Sequence, residues 1–269
     1  MHYEPIKKSV SVFFNKSPYL KVLSYKLLDL LLLRTWHIHR ELKNWSRLIP
    51  KGTPVHILDA GGGFGQYTYF LSSMDSGWNI LSVDIQRDLC AAANKFFYDM
   101  GRSYVFFRTA DLTEFIQPQS FNLILSVDVM EHIVDDVRVF TNFHSSLKDG
   151  GMLLLSTPSD RDPGDQPATD TPFVEEHVRS GYNIFEIKNK LKTAGFSEVE
   201  TRYSYGIPGK ISWRLSMKYP MVMLNFSKIF FILLPFYYLL TYPISFVLNW
   251  LDVVIKWRNG TGLIVKAWK

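Results

Sequence analysis

The chain has 269 residues, 47% of them apolar and 15% aromatic, enough for one domain with a sizeable core plus an accessory element. That composition excludes an intrinsically disordered chain, and the single cysteine, Cys90, excludes an internal disulfide framework. A net charge of +5 admits either nucleic acid or an anionic membrane surface as a partner, so the placement of the basic residues has to decide.

Residues 1–17 read as a polar arm carrying Lys7, Lys8 and Lys16, without the apolar run and small-residue cleavage site of a secretory signal. From Tyr19 to about Ile49 one long helix is expected, because Leu20, Leu23, Leu27, Leu30 and Leu31 recur at helical spacing. It either caps the domain that follows or lies on a membrane as an amphipathic helix. His37 and His39 are two apart and point to different sides of that helix, so they are not read as a metal pair. Turn residues at Pro50–Pro54 mark a boundary.

Strands and helices then alternate. Strands are expected at Val55–Asp59, Ile80–Asp84, Tyr104–Arg108, Phe121–Val127, Met152–Ser156, Phe196–Tyr205 and Gly262–Trp268. Helices are expected from Tyr67, at Gln86–Met100, at Asp136–Leu147 and at Tyr182–Ala194. This alternation argues for an α/β fold with a mainly parallel sheet covered on both faces.

The first strand runs into Gly61-Gly62-Gly63-Phe64-Gly65-Gln66. Glycines here allow positive φ and let a ligand lie against the backbone. The dinucleotide fingerprint needs glycine or alanine at the last of these positions, where Gln66 stands. The fit is instead to D-x-G-x-G-x-G, with Asp59, Gly61, Gly63 and Gly65. Asp84 ends the second strand, Ala110-Asp111-Leu112 follows the third, and Ser126-Val127-Asp128-Val129-Met130-Glu131-His132 ends the fourth. With these features the chain resembles the class I S-adenosylmethionine (SAM)-dependent methyltransferases over roughly residues 50–206 and 260–269.

The resemblance implies a Rossmann-like seven-stranded mixed sheet, parallel with one antiparallel strand, with helices on both faces. It divides the chain into an N-terminal arm and helix (1–49), a SAM-binding domain (50–206 plus 260–269) and an apolar helical insertion (207–259). It implies an enzyme with SAM as cofactor. Asp84 would take the ribose hydroxyls and Asp111 the adenine amino group, with Leu112 offering a backbone N–H. Ile85 and Val127 would line the same cleft, and Asp59 would hold either the glycine loop or the ligand's amino group.

For the acceptor side, a base is needed only if the acceptor's pKa lies well above ambient pH. The candidates are Asp128 and His132 after strand four, and His177 in Glu175–Tyr182. His132 can equally be a histidine tying loop to helix, and Asp128 can simply shape the loop. Pro158–Pro172 reads as a lid. Arg179 and Tyr182 are candidate substrate-binding residues, and Arg179 can alternatively anchor the next helix. No metal-ligand cluster is evident.

From Ile229 to Leu251 no residue is charged, and basic and aromatic residues flank the run. If the last two strands pair antiparallel, both ends of the insertion lie on one side of a membrane, which excludes a single crossing. A helical hairpin broken near Pro235 or Pro243 is therefore expected. It would act as a monotopic anchor on the cytoplasmic side of a membrane, or else cover substrate or a dimer interface in a soluble protein. The acceptor is then lipid-like, methylated at oxygen or carbon. The alternatives are a soluble small molecule, glycan or nucleotide-sugar, or a SAM-binding membrane-tethered partner without catalysis. Nucleic acid is not expected, because the positive charge follows the insertion rather than a separate basic domain.

Overall fold

The computed structural model describes residues 17–161, 178–227 and 229–269. The basic arm, most of the expected lid and His177 fall outside the described residues. Strands β1 (Val55–Ala60), β2 (Trp78–Asp84), β3 (Val105–Thr109), β4 (Phe121–Val127), β5 (Leu147–Pro158), β6 (Glu198–Ser204) and β7 (Gly262–Trp268) form one seven-stranded sheet in the order β3-β2-β1-β4-β5-β7-β6. Strands β1 to β5 pair in parallel, and β7 runs antiparallel to both β5 and β6. This is the sheet expected from the resemblance. The order reverses between β1 and β4, the place where open α/β sheets bind ligands at their carboxyl ends.

The helices are α1 (Pro18–Leu31), α2 (Leu33–Ser46), α3 (Gln66–Met74), α4 (Arg87–Asp99), α5 (Asp136–Ser146), α6 (Ile184–Thr193), α7 (Ile207–Trp213), α8 (Tyr219–Phe226) and α9 (Phe230–Val254). Alternate strand residues serve two cores. Leu58, Ile124, Leu153 and Val265 pack with Phe140, Phe143 and Leu191 from α5 and α6. Ile57, Leu123, Leu154 and Ile264 pack with Tyr25, Ile38, Leu71 and Phe97 from α1 to α4. The N-terminal helices are thus part of the second core, as a cap on the domain.

Three expectations change. The single N-terminal helix is two, broken at Leu32, whose backbone is extended (φ −90, ψ 111). The break lets α1 turn over the glycine loop while α2 packs on the sheet. Strand β5 begins at Leu147 rather than Met152, taking in the Asp149-Gly150-Gly151 turn through a register shift against β4. The hairpin is broken at neither proline: Pro235 and Pro243 both lie inside α9.

The chain reverses instead at Ser227, which is extended (φ −157, ψ 138). Its Oγ accepts the Ile229 N–H (3.3 Å) and its carbonyl accepts the Phe230 N–H (3.2 Å), a hydrogen-bonded turn that leads into α9. The first leg is α7, a π-helical turn at Arg214–Lys218, and α8. Carbonyls of that wide turn accept from the second leg: Tyr237 Oη donates to Leu215 O (2.7 Å) and Tyr238 Oη to Ser216 O (2.8 Å).

A buried polar cluster locks the hairpin to the domain. His37 on α2 donates from Nε2 to Asp252 Oδ1 on α9 (2.9 Å), and Arg202 on β6 donates to His37 Nδ1 (2.7 Å). Asp252 also accepts the backbone N–H of Tyr205 (3.0 Å) and of Gly209 (3.1 Å). Glu41 on α2 faces Arg202 (3.4 Å). This pattern needs the neutral Nε2–H tautomer of His37. Burial pushes the His37 pKa below its ordinary value, with the Arg202 charge adding to the shift and Asp252 opposing it.

The unfolded chain therefore takes up a proton near pH 6.5 that the folded chain refuses. The contribution from neutral His37 is complete above that pH and is lost as pH falls below it. His37→Gln keeps one donor and one acceptor without titrating. Urea unfolding at pH 7.5 and pH 5 is expected to show the wild type's advantage over this variant shrinking at the lower pH.

Candidate active site

Steric need explains the loop after β1. Gly61 (φ +78) donates its N–H to Val83 O (2.7 Å), and a Cβ there would stand 2.3 Å from Val129 Cγ2. At Gly63 (φ +52) a Cβ would meet nothing within 4 Å, so bare backbone faces open space where a ligand can approach. Gly65 (φ +91) closes the turn by donating to Gly62 O (2.9 Å) and stands at the N-cap of α3.

Asp59 is buried and accepts from Thr68 Oγ1 on α3 (2.5 Å). Burial raises its pKa to about 6, opposed by the Thr68 hydrogen bond and helped by the nearby Asp84 charge. Of the two roles open to Asp59, this contact builds the first: it ties the glycine loop to the helix that follows. Gln66 is also explained. Its buried amide donates to Asp29 Oδ1 on α1 (2.7 Å), so the residue that breaks the dinucleotide pattern fastens the cap. Tyr25 on α1 adds a hydrogen bond from its hydroxyl to Phe64 O and stacks on the Phe64 ring.

Asp84 sits at the end of β2 with one oxygen on the Gly63 N–H (2.9 Å) and the other on the Gln86 N–H (2.9 Å). A carboxylate has about four lone-pair sites, so acceptor capacity remains on both oxygens. Ile85 beside it is exposed. Beyond β3, Asp111 is exposed and accepts the N–H and hydroxyl of Thr113 at Oδ1 (both 2.8 Å), which hold its pKa below the usual carboxylate value. Leu112 is buried next to it, its carbonyl fixed by Asn142 Nδ2 (2.9 Å). Val127 is half-buried at the end of β4. Bare glycine backbone, one carboxylate beyond β2 and another beyond β3 form a donor–acceptor set that fits a ribose, an adenine and a zwitterionic tail. Asp84, Gly63, Ile85, Asp111, Leu112 and Val127 would hold SAM there.

A methyltransferase-domain family model matches residues 30–201 of this chain. The chain belongs to the SAM-dependent class I methyltransferases. Phosphoethanolamine N-methyltransferase 1 of Triticum aestivum is 30% identical over 149 residues, covering 53% of this chain and 28% of that protein. A probable S-adenosylmethionine-dependent methyltransferase of Mycobacterium tuberculosis is 27% identical over 156 residues, covering 58% of this chain and 53% of the relative. Among solved structures, the Haemonchus contortus phosphoethanolamine N-methyltransferase 2 complex with SAM superposes with a TM-score of 0.60 at 21% identity, covering 86% of this chain and 52% of that one. The matched region thus spans little more than a quarter of the plant relative's length.

In this family SAM supplies an electrophilic methyl group, so the residues beside the site would have to align an acceptor with it. The residues around the acceptor side divide clearly. Asp128 adopts a left-handed backbone (φ +52) and is ion-paired with Arg34 of α2. Arg34 also donates its backbone N–H to Tyr205 Oη (3.1 Å), and burial raises the Tyr205 pKa to about 12. Tyr67 and Thr35 meet alongside (3.4 Å). Sequence reasoning missed Arg34, Tyr67 and Tyr205, because their meeting depends on where α1 and α2 fold back. Glu131 turns inward, buried, with Thr157 Oγ1 donating to it (3.3 Å), while His132 is exposed on a 3-10 turn at Met130–His132. Of the two base candidates among the described residues, His132 is the exposed one and Asp128 is engaged by Arg34.

Arg179 and Tyr182 occupy a different place from the one expected. Arg179 pairs with Asp136 and donates to Met130 O (3.1 Å) and Val134 O (3.2 Å). Tyr182 is fully buried and donates to Asp136 Oδ2 (2.6 Å), which Lys190 also reaches (2.8 Å). These are the contacts of the anchor alternative. They fix the turn after β4 to α5 and α6 and leave the Arg179 fork filled by protein groups. His177 lies outside the described residues.

Proposed function

We propose that this enzyme transfers the methyl group of SAM to a lipid-like acceptor at a membrane surface, at oxygen or carbon, from a peripheral or monotopic position on the cytoplasmic side. One observation carries the reading. Helix α9 is 25 residues long and apolar enough to enter a bilayer, and only 6% of its most apolar window is buried. Ile232, Phe236, Leu239 and Leu240 are each at least 65% exposed, and Leu23, Leu27 and Leu30 of α1 are exposed too. A surface of this kind on a soluble monomer is a liability unless something covers it. Because β6 and β7 run antiparallel, the hairpin returns to the side from which it left, so it would dip into one leaflet.

A soluble acceptor is the second reading. It is favoured by relatives named for phosphoethanolamine N-methylation, one of them solved with phosphomonomethylethanolamine and S-adenosylhomocysteine. On that reading the acceptor atom is nitrogen and the hairpin covers substrate or a second subunit.

Vesicle flotation separates the two. Replacing residues 211–257 by a turn would also remove Asp252, so Ile232→Glu/Leu240→Glu, on exposed positions, is the cleaner variant. Wild type is expected to float with vesicles containing anionic lipid. The variant is expected to lose at least about tenfold in membrane partition while binding SAM normally. Wild type that stays at the bottom of the gradient contradicts the membrane reading.

A further inference from the structure

Between the carboxyl edge of the sheet and the base of the hairpin lies a cavity of about 630 Å³. Its lining comes from three places far apart in the chain. Arg161 follows β5, Gly206, Ile207 and Lys210 follow β6, and Ile255–Gly260 joins α9 to β7. Four cationic side chains line it, Arg161, Lys210, Lys256 and Arg258, and no acidic side chain is among its described lining residues. The remaining side chains are largely apolar: Ile207, Ile255 and Trp257.

The cavity is held in shape. Ser159 donates from Oγ to Gly260 O (2.5 Å), while Arg161 donates its N–H to Ser159 Oγ (3.2 Å), so one serine joins the arginine to the opposite loop. Trp257 donates from Nε1 to Asp252 O (3.2 Å) and packs so closely on Gly206 that a Cβ there would lie 2.3 Å from its ring. Asp128 donates its N–H to Ser156 O (2.9 Å) on the β4 side of β5, three residues before Ser159, which bonds Gly260 on the β7 side. The basic cavity and Asp128 therefore flank the carboxyl end of β5 from its two sides. On its other side, Ile255 continues into the exposed apolar residues Val254 and Trp250 of α9.

A cationic pocket at the foot of an apolar ramp matches an amphiphile with an anionic head. Arginine forks and lysine ammonium groups bind phosphate oxygens by charge-assisted hydrogen bonds. We propose that this cavity binds the phosphate of a membrane amphiphile, seating its head beside the active-site edge while its chain lies along α9. The inference rests on the lipid-acceptor reading and narrows it to a phosphate-bearing acceptor.

The test titrates the full chain with dihexanoyl phosphatidic acid below its micelle concentration, with inorganic phosphate, and with SAM. Lys256→Ala/Arg258→Ala is expected to bind the lipid probe about tenfold or more weakly, with SAM affinity within about twofold of wild type. Arg258→Lys, which keeps the charge, is expected to bind the lipid probe more tightly than Arg258→Ala. Inorganic phosphate is expected to bind wild type about tenfold or more weakly than the lipid probe, because it lacks the chain. Unchanged lipid binding by the double variant overturns the cavity assignment. Inorganic phosphate binding as tightly as the lipid probe overturns the lipid source. If the variant binds phosphatidic acid normally while lipids still gain methyl groups, the cavity inference alone fails. If the cavity binds phosphatidic acid but no lipid is methylated, the acceptor reading fails.

Discussion

Replacing Asp252 by alanine is expected to lower the melting temperature by roughly 6–20 °C, from a loss of about 3–5 kcal/mol. The side chain is fully buried and accepts from His37, Tyr205 N and Gly209 N. Removing it leaves three donors, two of them in buried bonds, without that acceptor and takes a compensating charge away from partly buried Arg202. A thermal scan in mild detergent checks the result. The same variant tests whether the hairpin is integral to the domain. If the hairpin were a loosely attached appendage, the melting temperature would move by less than about 2 °C. Tyr205 follows Asp252 in the contact chain to Arg34 and Asp128, so the damage is expected to reach the acceptor side of the site.

The second large effect concerns the cofactor. Asp84→Ala is expected to weaken SAM binding by about 100-fold, equivalent to roughly 3 kcal/mol. The carboxylate holds the Gly63 and Gln86 N–H groups, and it is the acceptor that the ribose hydroxyls would meet. The alanine variant loses both the preorganised loop and the direct contact. Calorimetry with SAM reads the loss directly. Because Asp84 lies at the surface of the cleft, the melting temperature without ligand is expected to fall only slightly. A loss of SAM affinity under about threefold would place the ribose elsewhere.

The donor half of this enzyme was readable in sequence because its requirements are local. Gly61 and Gly63 are fixed by backbone conformation and close approach, and Asp59, Asp84 and Asp111 stand at or just beyond strand ends that apolar runs already mark. The Gln66 mismatch pointed away from a dinucleotide, and the structure adds its reason in the bond to Asp29. The acceptor half depends on contacts between distant segments. Arg34 reaches Asp128 across 94 residues, and His37 reaches Asp252 across 215. No periodicity announces such pairs. Arg179 and Tyr182 show the converse: a segment with the right residues for anion recognition is consumed by Asp136.

The hairpin was legible in composition and topology but not in where it turns. Proline removes one backbone N–H from a helix, which made Pro235 and Pro243 the expected breaks. Both remain inside α9, and the chain turns instead at Ser227, whose hydroxyl and carbonyl accept the N–H groups of Ile229 and Phe230.

The most direct test of the account is incubation of the full chain with methyl-labelled SAM and a total lipid extract, beside a parallel incubation with the aqueous small-molecule fraction. The account predicts label in an organic-phase product, and a loss of about tenfold in that product with Ile232→Glu/Leu240→Glu, whose SAM affinity stays intact. Label confined to a water-soluble acceptor, with no product in the lipid phase, would contradict it.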